Sequence, residues 1–91
     1  MEADKKLEEL LDFPAVFTFR VMAHASPALR ALCQDTVERT LGHPAQQVTE
    51  HPSASGKFSS IRVTTVVVSA DEIRAAYAAL KDTVPNLKML L

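Results

Sequence analysis

The stretch Phe58-Ser59-Ser60-Ile61-Arg62-Val63-Thr64-Thr65-Val66-Val67-Val68 (FSSIRVTTVVV, residues 58–68) carries the reading of the fold. It is rich in β-branched side chains, which pack well on a pleated surface, and its polarity alternates. Ile61, Val63, Thr65 and Val67 fall on one face, and Ser60, Arg62 and Thr64 on the other. That period of two predicts a half-buried strand in the middle of a sheet.

The residues leading into it, His51 to Ser60 (HPSASGKFSS), contain a Gly-Lys pair that raises two other readings. A Walker-type phosphate loop needs G-x-x-x-x-G-K-[ST] opening a helix. Here His51 stands at the first glycine, Phe58 at the hydroxyl position, and a strand follows. An RNA-recognition strand needs a Lys/Arg-Gly pair ahead of spaced aromatics. Here the order is Gly56-Lys57, and Ser60 stands where a second aromatic would stack. The phosphate loop is rejected, and single-stranded nucleic-acid binding ranks third among the functional readings. The stretch predicts a hairpin turn, with glycine and serines supplying the turn and Lys57 solvating its tip.

On the C-terminal side, Ser69-Ala70-Asp71-Glu72 has the capping-box form, and Ile73, Ala76, Tyr77 and Leu80 continue as a helical stripe until Val84-Pro85. Leu87, Met89 and Leu91 then alternate with Lys88 and Leu90, predicting a short strand that packs by its odd positions. On the N-terminal side, Gln46 to Glu50 reads as a polar edge strand around Val48, set off by Gly42-His43-Pro44. Before that break, Leu29, Leu32, Cys33, Thr36, Val37, Thr40 and Leu41 form an amphipathic stripe, with Ser26 as the expected N-cap and Pro27 at the first helical position. Val16 to Met22 alternates Phe17, Phe19 and Val21 against Thr18 and Arg20, predicting strand one. Residues 3–11 place Leu7, Leu10 and Leu11 at helical spacing, so residues 1–12 are expected to form an N-terminal helix or arm that Pro14 ends.

The predicted order is β-α-β-β-α-β behind that helix. The chain is therefore expected to be an α+β, ferredoxin-like sandwich: a four-stranded antiparallel sheet of order 4-1-3-2 with both helices on one face. At 91 residues, 47% apolar and 23% charged, it makes one domain over residues 1–91 with a small core. A core of this size gains from association, so a homo-oligomer or a protein partner is expected. Ten basic residues against eleven acidic ones leave a net charge of -1, so any anion site must be a local patch. Cys33 has no second cysteine to pair with, and no stretch has the form of a secretion signal. The longest apolar run, Val66-Val67-Val68, falls far short of the ~20 residues that span a bilayer. The cytoplasm is the expected compartment, without a membrane partner.

Some of these residues carry a resemblance. Leu10-Leu11-Asp12-Phe13-Pro14-Ala15-Val16-Phe17-Thr18-Phe19-Arg20-Val21-Met22, then Pro27-Ala28-Leu29, the hairpin Ser55-Gly56-Lys57-Phe58-Ser59-Ser60-Ile61 and the ending Leu87-Lys88-Met89-Leu90-Leu91 resemble the YbeD-like proteins, small bacterial proteins of uncharacterised function. The resemblance spans residues 7–91. It implies a ferredoxin-like fold similar to the ACT domains, regulatory modules that often bind amino acids at dimer interfaces, and it implies no reaction. Neighbouring genes in that family imply a regulatory link to lipoate attachment. The turn Ala23-His24-Ala25-Ser26-Pro27 departs from the ACT pattern, because it lacks the glycine that lets backbone donors approach a carboxylate.

The chemistry-bearing residues give no catalytic set. His24, His43 and His51 lie in separate loops or turns without acidic or cysteine partners at metal-ligand spacing, and are expected at the surface. Cys33 falls on a helical apolar stripe, where a buried structural thiol is the commoner outcome. Asp71 and Glu72 suit a helix N-terminus. The acylphosphatases share this fold class, but their glycine-rich turn after strand one is missing. No cofactor or metal site is expected. If odd strand positions face the helices, Arg20, Arg62 and Lys88 point together from the open face of the sheet, a candidate surface for an acidic partner or a small anionic ligand. The chain is thus expected to be a non-enzymatic regulatory or protein-interaction module, with an ACT-like effector domain for an anionic metabolite as the alternative.

Overall fold

In the computed structural model, residues 11–90 are described; they order as β1 (Ala15–His24), α1 (Leu29–Leu41), β2 (Gln47–Pro52), β3 (Phe58–Val67), α2 (Ala70–Thr83) and β4 (Leu87–Leu90). Apart from Leu11 and Asp12, which are not helical, the N-terminal helix or arm expected over residues 1–12 lies outside the described residues. The four strands form one antiparallel sheet in the order β2-β3-β1-β4, which is 4-1-3-2 taken from the other edge. With α1 and α2 packed on one face, this is the ferredoxin-like α+β sandwich that the β-α-β-β-α-β order predicts.

Period two sets the layers. Along β3, Ser59, Ile61, Val63, Thr65 and Val67 are buried while Phe58, Ser60, Arg62, Thr64 and Val66 are only half-buried. In β1, Phe19, Val21 and Ala23 are sealed in the core. These side chains meet Leu29, Cys33 and Val37 of α1 and Ile73, Ala76 and Leu80 of α2 in one cluster. Each large apolar side chain sealed there contributes about 1.5–3 kcal/mol, and together they must offset the chain entropy lost on folding. Phe17, Phe19 and Tyr77 extend the cluster by edge-on contacts, with ring centroids 4.9 Å (Phe17–Phe19) and 5.1 Å (Phe19–Tyr77) apart.

Helix α1 begins with its stripe at Leu29, later than the expected Ser26 cap and Pro27 start imply. Ala28, without a side-chain cap, precedes the first helical residue, Leu29. The Ser26 carbonyl accepts from Leu29 N at 3.3 Å, so Pro27 and Ala28 form the turn that reverses the chain out of β1, and Ser26 is not the N-cap. Thr40 is exposed at the other end, outside the buried stripe. Gly42 ends the helix at φ 82°, a left-handed conformation unfavourable for other residues, and donates to Glu38 O at 2.8 Å. Glu38 also accepts the Ala45 amide at 2.7 Å and Gln34 Nε2 at 3.2 Å, which tethers the loop and lowers its carboxyl pKa. Helix α2 is capped as its sequence predicts: Ser69 Oγ accepts Glu72 N at 3.2 Å. The Glu72 carboxylate reaches one residue further back than a standard box, to Val68 N at 2.8 Å.

Two further departures concern strands. β2 runs from Gln47 to Pro52, two residues beyond its expected end, because its pairing with β3 continues through His51↔Ser60 and Pro52↔Ser59. In β4 the odd-position rule breaks. Val21 pairs with Leu90 and Met22 with Met89, but Ala23 pairs with Leu87, so Lys88 is the extra residue of a bulge. A bulge inverts the alternation beyond it. Leu87 and Leu90 therefore pack on the core, while Met89, expected inside, is 46% exposed.

The open face of the sheet as candidate functional site

Strand pairing fixes which backbones touch and which side chains crowd. Ala25 N donates to Lys57 O at 2.9 Å and His24 N to Asn86 O at 3.4 Å. Odd residues of β1 therefore bond to β3, while even ones turn toward β4. The register Arg20↔Arg62 is accordingly a non-hydrogen-bonded pair, the class in which facing side chains lie closest. The neighbouring Thr18↔Thr64 pair belongs to the same class, and its hydroxyls meet at 2.9 Å.

Two arginines thus stand directly opposite one another in register on the open face, an arrangement of like charges that is destabilising by itself. No carboxylate on the strands compensates them. Glu50 is the only acidic residue in the four strands; its register with Ile61 turns it to the helical side, where it accepts Ser59 Oγ at 3.0 Å. The Nε of Arg62 is buried and has no hydrogen-bond partner. An orphaned, charge-bearing donor is costly until an acceptor arrives. Around the pair lie two concavities. One, of about 140 Å³, is lined by Arg20, Val21, Met22, Ser60, Arg62 and Met89. The other, of about 320 Å³, is polar and presents Thr18, Gln47, Thr49, His51 and Thr64 beside the same two arginines.

Arg20 and Arg62 are therefore brought together as their alternation implies. Lys88 is not: the bulge sets it at the far end of the face, its Nζ 5.5 Å from the centre of the Phe58 ring, which His24 meets edge-on at 5.0 Å. Met22, Met89, Gln47 and Thr49 are not singled out by sequence, and His51 is read there only as a surface histidine. Alternation carries a signal for four of the five, Met22 at an even position of β1 and Gln47, Thr49 and His51 at the odd positions of β2 that alternate with Val48; Met89 has none, because the bulge conceals it.

The remaining candidates resolve into structure. His24 and His51 are exposed, but His43 is half-buried, with Nδ1 3.4 Å from Thr65 Oγ1, so it serves the core margin and not the surface. Cys33 is sealed between α1 and the sheet, and burial pushes its thiol up to about 11. Burial also raises the Tyr77 phenol, against the opposing effect of a hydrogen bond from the Arg20 backbone. Among the described residues no group of three or more His, Cys, Asp or Glu could hold a metal ion, and no helix is long and apolar enough to cross a membrane. The hairpin is closed by Ser53 N to Phe58 O at 2.8 Å and Gly56 N to Ser53 O at 3.0 Å, with Gly56 at φ 77°. The serine hydroxyls of this turn accept amides of their own loop, Phe58 N on Ser53 and Lys57 N on Ser55.

Comparison with known proteins gives family and fold. Residues 8–91 match the family described as "Protein of unknown function (DUF493)". The UPF0250 protein VP0718 of Vibrio parahaemolyticus is 33% identical over 81 residues, covering 88% of this chain and 86% of its own. The UPF0250 protein PC1_1177 of Pectobacterium carotovorum is 36% identical over 76 residues, covering 82% and 85%. The solution structure of protein HP0495 from H. pylori superposes with a TM-score of 0.73 over 89% of this chain and 85% of that one, at 17% identity, a likeness of fold alone. On the family match and these relatives, the chain belongs to the DUF493 family of small bacterial proteins, the YbeD-like group that its N-terminal strand and hairpin resemble.

Proposed function

We propose that the protein is a non-catalytic interaction module of the cytoplasm that regulates a protein partner by holding an acidic patch of it against the open face of the sheet. The observation that carries this reading is the Arg20–Arg62 pair: like charges in closest cross-strand register, without a strand carboxylate on their face, and with a buried, unpartnered Nε on Arg62. A carboxylate placed between them relieves the repulsion and accepts the orphaned donor, and guanidinium forks match carboxylate geometry. The flat, open shape suits a surface better than a substrate.

A second reading, an ACT-like effector domain for a small anionic metabolite, is favoured by the polar basin of about 320 Å³ beside the same pair. The two separate in one experiment. Wild-type protein and the R20E/R62E variant are used to capture partners from bacterial extract, while a thermal-shift panel of amino acids, nucleotides and lipoate-related acids is run on both. A protein retained by the wild type and lost by the variant supports the interaction module. A large thermal shift from one small acid, with no retained protein, supports the effector domain. Equal retention by both proteins contradicts the role given to the arginines.

A further inference from the structure

Resting on the reading of the open face as an interaction surface, we infer that its occupant is an extended acidic peptide segment in which a carboxylate residue is followed at alternate positions by two apolar ones. The face is ordered in rows, because β1 and β3 pair in register along their whole length. Thr18/Thr64 comes first, then Arg20/Arg62, then Met22/Ser60, then His24/Phe58. Successive same-face rows are about 6.8 Å apart, two residues of strand rise.

Chemistry changes from row to row. The arginine row offers two cations and the unpartnered Nε of Arg62. Beyond it, Met22 and Met89 are register partners on the open face and floor the concavity of about 140 Å³ next to the arginines. One row further, a second concavity of about 140 Å³ lies between Met22 and the Phe58 ring. An anion seat is thus followed, at equal intervals, by two apolar seats. Methionine and phenylalanine present adaptable, polarizable surface for aliphatic side chains.

A β-extended peptide laid on a sheet presents its residues i, i+2 and i+4 to that sheet at the same interval of about 6.8 Å. Glutamate or aspartate at i meets the arginine row, and apolar residues at i+2 and i+4 meet the two concavities. A helix would present neighbours at i+3 and i+4, about 5–6 Å apart, out of step with the rows. Charge complementarity selects the acidic end. Every strand side chain on this face is neutral or basic, and the sole strand carboxylate, Glu50, faces the helices.

The test uses fluorescence anisotropy of labelled synthetic peptides with the full-length protein. Ser-Glu-Ser-Leu-Ser-Leu-Ser carries the matching alternation. Ser-Gln-Ser-Leu-Ser-Leu-Ser lacks the charge, and Ser-Glu-Leu-Ser-Ser-Leu-Ser has the same composition with its first leucine moved out of step. The matching peptide is expected to bind at least about tenfold more tightly than either, the ratio that one charge-assisted hydrogen bond or one buried leucine commands. R20Q/R62Q should abolish that preference for Glu over Gln. M22S/M89S should abolish the preference for the in-step peptide while leaving the salt dependence. Equal binding of the in-step and out-of-step peptides would overturn the inference. If no peptide binds but a captured partner still depends on Arg20 and Arg62, the inference is overturned and the interaction module stands; if that dependence is also missing, both are overturned.

Discussion

A surface built to receive an anion should be less stable alone than it need be, and Arg20 allows this to be measured. The Arg20 side chain is exposed and faces Arg62 in the closest class of cross-strand pair, with Cα atoms about 4.5 Å apart. Two unit charges about 6 Å apart repel by roughly 0.7 kcal/mol in a medium of bulk-water dielectric and several times that near a protein surface. Salt and side-chain freedom reduce the effect toward the roughly 0.2–1 kcal/mol typical of cross-strand pairs, about 0.4 kcal/mol for this one. Reversing one charge exchanges that repulsion for an equal attraction. R20E is therefore expected to be more stable than the wild type by about 0.8 kcal/mol, a Tm gain of about 3–6 °C for a domain of this size. R20E/R62E restores a like-charged pair, so a double-mutant cycle should give a coupling of about 1.6 kcal/mol, free of the packing that Arg62 loses. The assay is urea denaturation of the four proteins at low salt and at 1 M NaCl, where screening should at least halve the coupling. A coupling below about 0.3 kcal/mol, or one indifferent to salt, would refute the claim that the two guanidiniums strain the face.

Other perturbations test the frame. Phe19→Ala empties the centre of the aromatic cluster, where Phe19 is 0% exposed, and should cost about 3–5 kcal/mol in the same denaturation assay. Ser69→Ala removes the cap of α2 and should cost about 1 kcal/mol, with Ser69→Asp retaining most of it. Cys33 should resist iodoacetamide in the native protein at pH 8 and react once the chain is unfolded in urea, at a rate higher by at least about two orders of magnitude, since both its raised pKa and its burial suppress attack. The same shift predicts a pH dependence. Because the folded thiol titrates above the unfolded one, its contribution is fully present below the unfolded value of 9.0 and is lost as pH rises through about 11, so stability should fall across that window less steeply in C33A than in the wild type.

The layers of this fold are written in the alternation of two strands. Phe17-Phe19-Val21 and Ile61-Val63-Thr65-Val67 each name their buried face, and once both face the helices, Arg20 and Arg62 must share the other. What sequence does not carry is register, because alternation assigns a face and leaves the partner unspecified. That Arg20 lies opposite Arg62, and not beside Ser60 or Thr64, comes from the pairing that the β1–β3 ladder settles over its whole length. The position of Lys88 is hidden for a different reason. A bulge depends on how β4 meets β1 after the left-handed Asn86, at φ 54°, and the run Leu87-Lys88-Met89-Leu90 reads equally well without one. The start of α1 is lost to a similar ambiguity: Ser26-Pro27 suits a cap and a reversing turn alike, and the geometry leaving β1 selects the turn.

The central claim, that the open face around Arg20 and Arg62 receives an acidic segment, is tested most directly by NMR observation of the arginine Nε–H and methionine methyl groups during titration with Ser-Glu-Ser-Leu-Ser-Leu-Ser. The Arg62 Nε–H, buried and without an acceptor in the free protein, should shift on binding, with the Met22 and Met89 methyls moving in the same titration. Arg62 and both methionines unmoved, while amides of α1 or α2 shift, would contradict the account.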